Sequence, residues 1–132
     1  MTKSNFDPSS LAHVTTVDET QNLPAITEGI FIFELTDEKL QEISGHLPQL
    51  RHLIADGNTR VTDVGLQCLK RFSRLETLDL EWSRITDAGL SMVASVKSLR
   101  WVDVGFCKGI THGGASELKR ARPDLEVICD WV

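Results

Sequence analysis

Two hydrophobic rhythms alternate along most of the chain. From Leu75 the sequence reads LETLDLEWSRITDAGLSMVASV, opening with apolar residues at Leu75, Leu78 and Leu80. The step of two between Leu78 and Leu80 sends both to one side of an extended chain and Asp79 to the other, which predicts a strand with one face in a core. After the phrase ITD the spacing lengthens to three, as in Leu90 and Val93, which predicts a helix face. The same alternation begins at Leu50 (LRHLIADGNTRVTDVGLQCLKRF) and at Leu99 (LRWVDVGFCKGITHGGASELKRA), and a partial copy, LEVICDWV, begins at Leu125. The anchoring leucines are separated by 25, 24 and 26 residues. The chain therefore reads as a solenoid of strand and helix units, each covering its neighbour's core.

An earlier, degenerate unit is also visible, because LTDEKLQEI (residues 35–43) matches ITDAGLSMV at Leu35, Thr36, Asp37, Leu40 and Ile43. GIFIFEL is its expected strand. The expected organisation is a polar, partly disordered tail over residues 1–22, with a turn at Asp7-Pro8-Ser9-Ser10, followed by a repeat domain over 23–132. Within that domain the first unit covers 23–47, full repeats lie near 48–72, 73–96 and 97–122, and a terminal strand covers 123–132. At each corner the threonine of TD is expected to cap a helix, and the adjacent aspartate to favour the positive end of its dipole. Val61, Ile85 and Ile110 point to the core. One acid per repeat at a fixed corner is an architectural feature rather than a catalytic pair.

Counting from each anchoring leucine, the ninth slot holds Asn58, Ser83 and Cys107, small polar side chains suited to bonding the backbone of the adjoining loop. The whole pattern, LxxLxLxx(N/S/C)xx(I/V)TDxGL, resembles the leucine-rich-repeat family, particularly its cysteine-containing subclass known from the substrate-binding arms of F-box proteins. It is also similar to short bacterial proteins ending in phrases like LKRARPDLEV. The resemblance covers about residues 35–132. Only Cys107 occupies the cysteine slot, THGG replaces TDxG in the last full copy, and no F-box sequence stands before the repeats. The resemblance implies an α/β fold: a short right-handed leucine-rich-repeat solenoid, with a parallel β-sheet on the concave face and helices on the convex face.

On that plan slots three, five, seven and eight of each strand face outward. They are His52, Ile54, Asp56 and Gly57, then Thr77, Asp79, Glu81 and Trp82, then Trp101, Asp103, Gly105 and Phe106. Among them are acids and large aromatics but no lysine or arginine, and Trp131 extends the aromatic row onto the last strand. The candidate partner-binding residues are therefore His52, Asp56, Asp79, Glu81, Trp82, Trp101, Asp103, Phe106 and Trp131. The expected function is a non-catalytic protein-binding module, adaptor or inhibitor of the immunity type, whose partner is another protein with a basic contact surface.

Composition narrows the alternatives. A net charge of −5 argues against nucleic acid, whose phosphates demand a basic face. No apolar run reaches the length needed to cross a bilayer, and the first 20 residues lack a secretory h-region, so a cytoplasmic location is expected. Cys68, Cys107 and Cys129 are odd in number and lack CxxC spacing, which suggests neither disulfides nor zinc. His13, His46 and His112 show no ligand spacing, phosphate-loop motifs are missing, and His52 and Cys107 sit in different slots. No cofactor, metal or enzyme activity is expected. The terminal strand leaves two further expectations. Asp130, in the inward slot of Leu80 and Val104, would guard an exposed edge against pairing. Alternatively the edge is completed by another chain, making the protein a structural subunit or a homodimer joined through the last strand.

Overall fold

The computed structural model describes residues 12–14, 23–24, 27–56 and 59–130. Its strands are β1 (Ala12–Val14), β2 (Gly29–Phe33), β3 (His52–Asp56), β4 (Thr77–Asp79), β5 (Trp101–Asp103) and β6 (Glu126–Ile128). They form one six-stranded sheet in chain order, every neighbouring pair parallel. Between strands run α1 (Asp37–His46), α2 (Asp63–Leu66), α3 (Asp87–Ala94) and α4 (His112–Ala121). Parallel pairing obliges each unit to cross back over the sheet before the next strand, and the helices make that return.

Period-two residues line the inner face. Ile30, Leu53, Leu78 and Val102 are successive partners across β2 to β5, and all are fully buried. Leu50, Leu75 and Leu99 join them from below the strands, and Leu40, Ile43, Leu66, Leu90, Val93 and Leu118 close the core from the helices. Each such side chain contributes about 1.5–3 kcal/mol of burial. Two elements depart from the sequence pattern. β1 lies within the stretch read as a tail and pairs with β2 from Ala12↔Ile30 to Val14↔Ile32, while the Asp7 to Ser10 turn lies outside the described residues. α2 is a single turn followed by a 3-10 turn over Leu69–Arg71, in keeping with the poor helix propensity of Val64 and Gly65.

The recurring TDxG phrase has a wider role than capping. Thr36, Thr62, Thr86 and Thr111 are the N-caps, each accepting a backbone N–H from the first turn of its own helix. The aspartate beside the threonine reaches forward one whole repeat. Asp37 accepts the N–H (2.8 Å) and hydroxyl (2.6 Å) of Thr62. Asp63 does the same for Thr86 (2.8 and 2.5 Å), and Asp87 for Thr111 (2.9 and 2.7 Å). The threonine hydroxyl is thus used in both directions, donating to the previous repeat and accepting from its own helix. Gly65, Gly89 and Gly114 lie directly over these carboxylates, where a Cβ would collide with Asp37, Asp63 and Asp87 respectively. The two end corners depart from the phrase. The first corner has Asp37 but Lys39 in the glycine slot. The last has Gly114 but His112 in the aspartate slot.

The final strand corrects one expectation. Val102 pairs with Val127 and Asp103 with Ile128, an offset of 25, so Leu125 is one residue out of register with Leu99. Asp130 is consequently exposed in the outward set, and Cys129, packed on the core edge, takes the inward slot. A thiol is far cheaper than a carboxylate to bury there. Before this strand Arg122 donates to the carbonyls of Ala94 (3.1 Å), Val96 (2.9 Å) and Leu99 (2.8 Å). These groups lie at or beyond the last residue of α3, where carbonyls lack helical donors.

Glycine to alanine in a helix ordinarily gains about 1 kcal/mol. Gly89→Ala is expected instead to lose about 2 kcal/mol through the collision with Asp63. Asp63→Ala alone should cost about 1–2 kcal/mol. In urea denaturation the double variant should be markedly less destabilised than the sum of the two; strict additivity would show that the carboxylate and the glycine are not coupled.

Candidate functional site

The outward face is built from rows running across the strands. One row is Phe31, Ile54, Asp79, Asp103 and Ile128, and the row below it is Gly29, His52, Thr77, Trp101 and Glu126. At the rim, Arg51 pairs with Glu76 (2.8 Å) and Glu28 (3.6 Å), so charge there alternates along the sheet. Lysine and arginine are missing from the two rows.

His52 is half-buried, its Nδ1 lying 3.0 Å from Thr77 Oγ1. Burial lowers its pKa, against a smaller opposing pull from Glu76. Trp101, also half-buried, stands on the other side of Thr77 in the register. Asp79 and Asp103 begin matching bends: Asp79 Oδ1 accepts the N–H of Glu81 (3.0 Å), and Asp103 Oδ1 that of Gly105 (2.9 Å). One carboxylate oxygen from each of Asp79, Glu81 and Asp103 lies within 4.8 Å of the others. That spacing would admit a hard cation, as well as a cationic side chain. Asp103 is only 8% exposed. Burial raises its pKa, the Gly105 N–H partly offsets this, and Asp130 raises it further. Like charges facing across a strand pair oppose each other.

Three residues past the first row the backbone turns left-handed, at Glu34 (φ 51°), Trp82 (φ 63°) and Phe106 (φ 57°). The turn lets Trp82 N–H reach Gly105 O (3.0 Å) and Ser83 N–H reach Leu80 O (3.2 Å). For a side chain with a Cβ this conformation costs about 1–2 kcal/mol. Yet Trp82 and Phe106 hold it with their rings stacked, centroids 4.5 Å apart and planes 6° from parallel, while 58% and 36% exposed. Gly57 occupies the same slot one repeat earlier, outside the described residues.

Seven of the nine candidate residues thus fall on this face or its bordering turn: His52, Asp79, Glu81, Trp82, Trp101, Asp103 and Phe106. The side chain of Asp56, and Trp131 as a whole, lie outside the described residues. The sequence reading missed Phe31 and Phe33, which form an edge-to-face pair (5.2 Å, 76°) on the neighbouring strand, Phe33 being 43% exposed. The alternation in GIFIFEL carries that signal once the outward slots are extended into the first unit.

The ninth-slot ladder joins Ser83 Oγ to Cys107 Sγ (3.2 Å), and Cys107 donates to Leu80 O (3.3 Å); Asn58 lies outside the described residues. Burial raises the pKa of the Cys107 thiol, partly countered by Ser83, and burial likewise raises that of Cys68. A reactive cysteine needs the opposite shift and an accessible thiolate. On the helical side, a groove between α3 and α4 is floored by Gly113 and Gly114 beside Asp87 and Thr111, the residues that join the last two corners. Among the described residues no helix is long and apolar enough to cross a membrane.

Residues 74–94 match a family model described as Leucine Rich repeat. The match runs from β4 through the Thr86 corner to the end of α3. No curated protein matches the chain.

Two outcomes follow from these environments. Because the folded pKa of Asp103 lies above its ordinary 3.8, the folded state loses stability as pH rises through that folded pKa. Asp103→Asn, fixed in the neutral form, should melt about 2–4 °C higher at pH 7, with the advantage shrinking to nothing below pH 3.8; a lower melting point at both pH values would contradict this. With a thiol reagent, Cys129 should react first in the native protein and all three cysteines equally in denaturant. Native Cys107 reacting as fast as Cys129 would refute the buried ladder.

Proposed function

We propose that the chain, whose residues 74–94 match a leucine-rich-repeat family model, is a non-catalytic protein-binding module whose outward sheet face engages another protein. The observation that carries the reading is the composition of that face: three clustered carboxylates and an exposed aromatic stack, in rows without lysine or arginine. Aromatic side chains supply contact area and acids select the partner by charge. The partner is accordingly basic at its contact surface. His52, Asp56, Trp101 and Trp131 belong to the same proposed surface, and Phe31 and Phe33 give it an apolar flank.

Two roles suit such a surface. An inhibitor or immunity-type protein would mask a basic enzyme or toxin; an adaptor would hold a substrate for another component. Binding that weakens steeply with salt favours the first. The free thiols of Cys68, Cys107 and Cys129 suit a reducing compartment, and we take the cytoplasm as the place of action. A second reading, a structural subunit or homodimer, draws on β6 lying at the end of the sheet, where edge groups invite a further strand. It predicts a concentration-dependent mass in solution that disappears when Trp131 and Val132 are deleted.

The test of the leading reading uses two baits in native lysate, wild type and a folded Trp101→Ala/Asp79→Lys double variant. A partner held by the wild type and lost by the variant is the expected result. A partner retained equally by both would overturn the assignment to this face.

A further inference from the structure

We propose that the far edge of β6 takes up an extended segment of the partner protein as a further strand, and that this segment carries a basic residue at each end of an apolar run. The proposal rests on the reading of the chain as a binder of basic partners and names where and how such a partner is seated.

Backbone direction is the first argument. Toward β5, Glu126 N–H donates to Arg100 O (3.0 Å) and Ile128 O accepts from Val104 N–H (2.8 Å). Successive residues of a strand turn their N–H and C=O to opposite sides, so those of Val127 and Cys129 turn away from β5. β6 ends the sheet, and among the described residues no strand pairs with its far side. The core is open at the same place. Val102 and Val104 are fully buried on the inward side of β5, whereas Val127, the register partner of Val102, and Cys129 are only partly buried. An added strand supplies the missing backbone partners and covers these two side chains.

Charge decides which strand. The outward residues of β6 alternate with Val127 and Cys129: Glu126 stands beside Trp101, Ile128 beside Asp103, and Asp130 follows. Among the described residues neither Glu126 nor Asp130 is in an ion pair. A second copy of β6 is a poor occupant. Paired antiparallel about Ile128, it sets Glu126 against the copy's Asp130; paired about Val127, it sets Asp124 against the copy's Asp130. β1 of another copy, with the sequence AHV, brings no lysine or arginine. Charges of this kind on an edge exclude wrong partners and leave the place to a complementary one. A strand with basic, apolar and basic residues outward and apolar residues inward meets every position of β6. The pattern reads the same in both directions, so it suits parallel or antiparallel addition.

The test adds end-blocked peptides to the full chain: Gly-Lys-Val-Ile-Val-Lys-Gly, its glutamate counterpart Gly-Glu-Val-Ile-Val-Glu-Gly, and Gly-Lys-Val-Pro-Val-Lys-Gly, which keeps the charge but resists a sheet. The readout is amide hydrogen exchange by NMR at Val127 and Cys129, the N–H groups that an added strand engages. Both should exchange freely in the unbound protein and slow with the first peptide, which should bind about tenfold tighter than the glutamate peptide. The proline peptide should protect neither. Glu126→Lys/Asp130→Lys alters side chains at the surface, should fold as wild type, and should reverse the preference in favour of the glutamate peptide. Four results would overturn the proposal: protection of both amides in the unbound monomer, equal effects of the lysine and glutamate peptides, a proline peptide as effective as the first, or a preference unmoved by the double variant. Edge protection that appears only as the protein's own mass doubles with concentration would also overturn it, by seating a second copy there. If no peptide protects the edge while the Trp101→Ala/Asp79→Lys bait still loses its partner, the face binds protein without strand addition; if that bait keeps its partner, the face itself is wrongly assigned.

Discussion

One carboxylate reaching from each of the first three helix starts to the next threonine ties the repeats together. Asp37, Asp63 and Asp87 each accept two hydrogen bonds from the following corner, and each lies under a glycine that leaves room for it. The Asp87 carboxyl is held below its ordinary pKa by the Thr111 hydroxyl and N–H. Such a link is local in space and distant in sequence, so it joins units that would otherwise meet only through apolar contact. It also fixes the height of each helix start relative to the next. The strands that precede those helices then have little freedom to slip.

The outward face inherits this order. β4 and β5 have three residues each, too few to hold a register strongly by ladder bonds alone. With the corners joined, Asp79 stands opposite Asp103 and Thr77 opposite Trp101, and the left-handed turns beyond them bring Trp82 over Phe106. Features that are unfavourable singly, facing acids and strained aromatics, are tolerated because a fully buried leucine core and the corner links over-determine the backbone. This is the pattern of a scaffold that spends part of its stability on a surface.

The strand and helix assignments were legible because inward residues such as Leu75, Leu78 and Leu80 repeat with two clean periods. The threonine caps were legible for the same reason, being local. The forward reach of the aspartates was not read, since it joins residues 23 to 25 apart. The clue was nevertheless present in Lys39 and His112, the two departures from TDxG. Leu125 misled the last register because an apolar residue in the bend before β6 imitates the anchor of the earlier units. Asp79, Glu81, Asp103 and Trp101 stand on the outward face where their slots in the repeat put them. Its Phe31 and Phe33 flank fell outside the three repeats counted, and the stacking of Trp82 on Phe106 depends on a backbone sign that hydrophobic pattern does not encode. Gly57 in the same slot was the available hint.

The most direct test is amide hydrogen exchange of the wild type and Asp63→Ala, followed at Thr86 and along β4 and β5. If the corner links hold the sheet in register, the wild-type Thr86 N–H should be protected nearly as well as core strand amides. Asp63→Ala should then lower protection at Thr86 and along both strands together. Loss of protection confined to Thr86, with β4 and β5 unchanged, would mean that the apolar core alone sets the register and that the corner carboxylates merely decorate it.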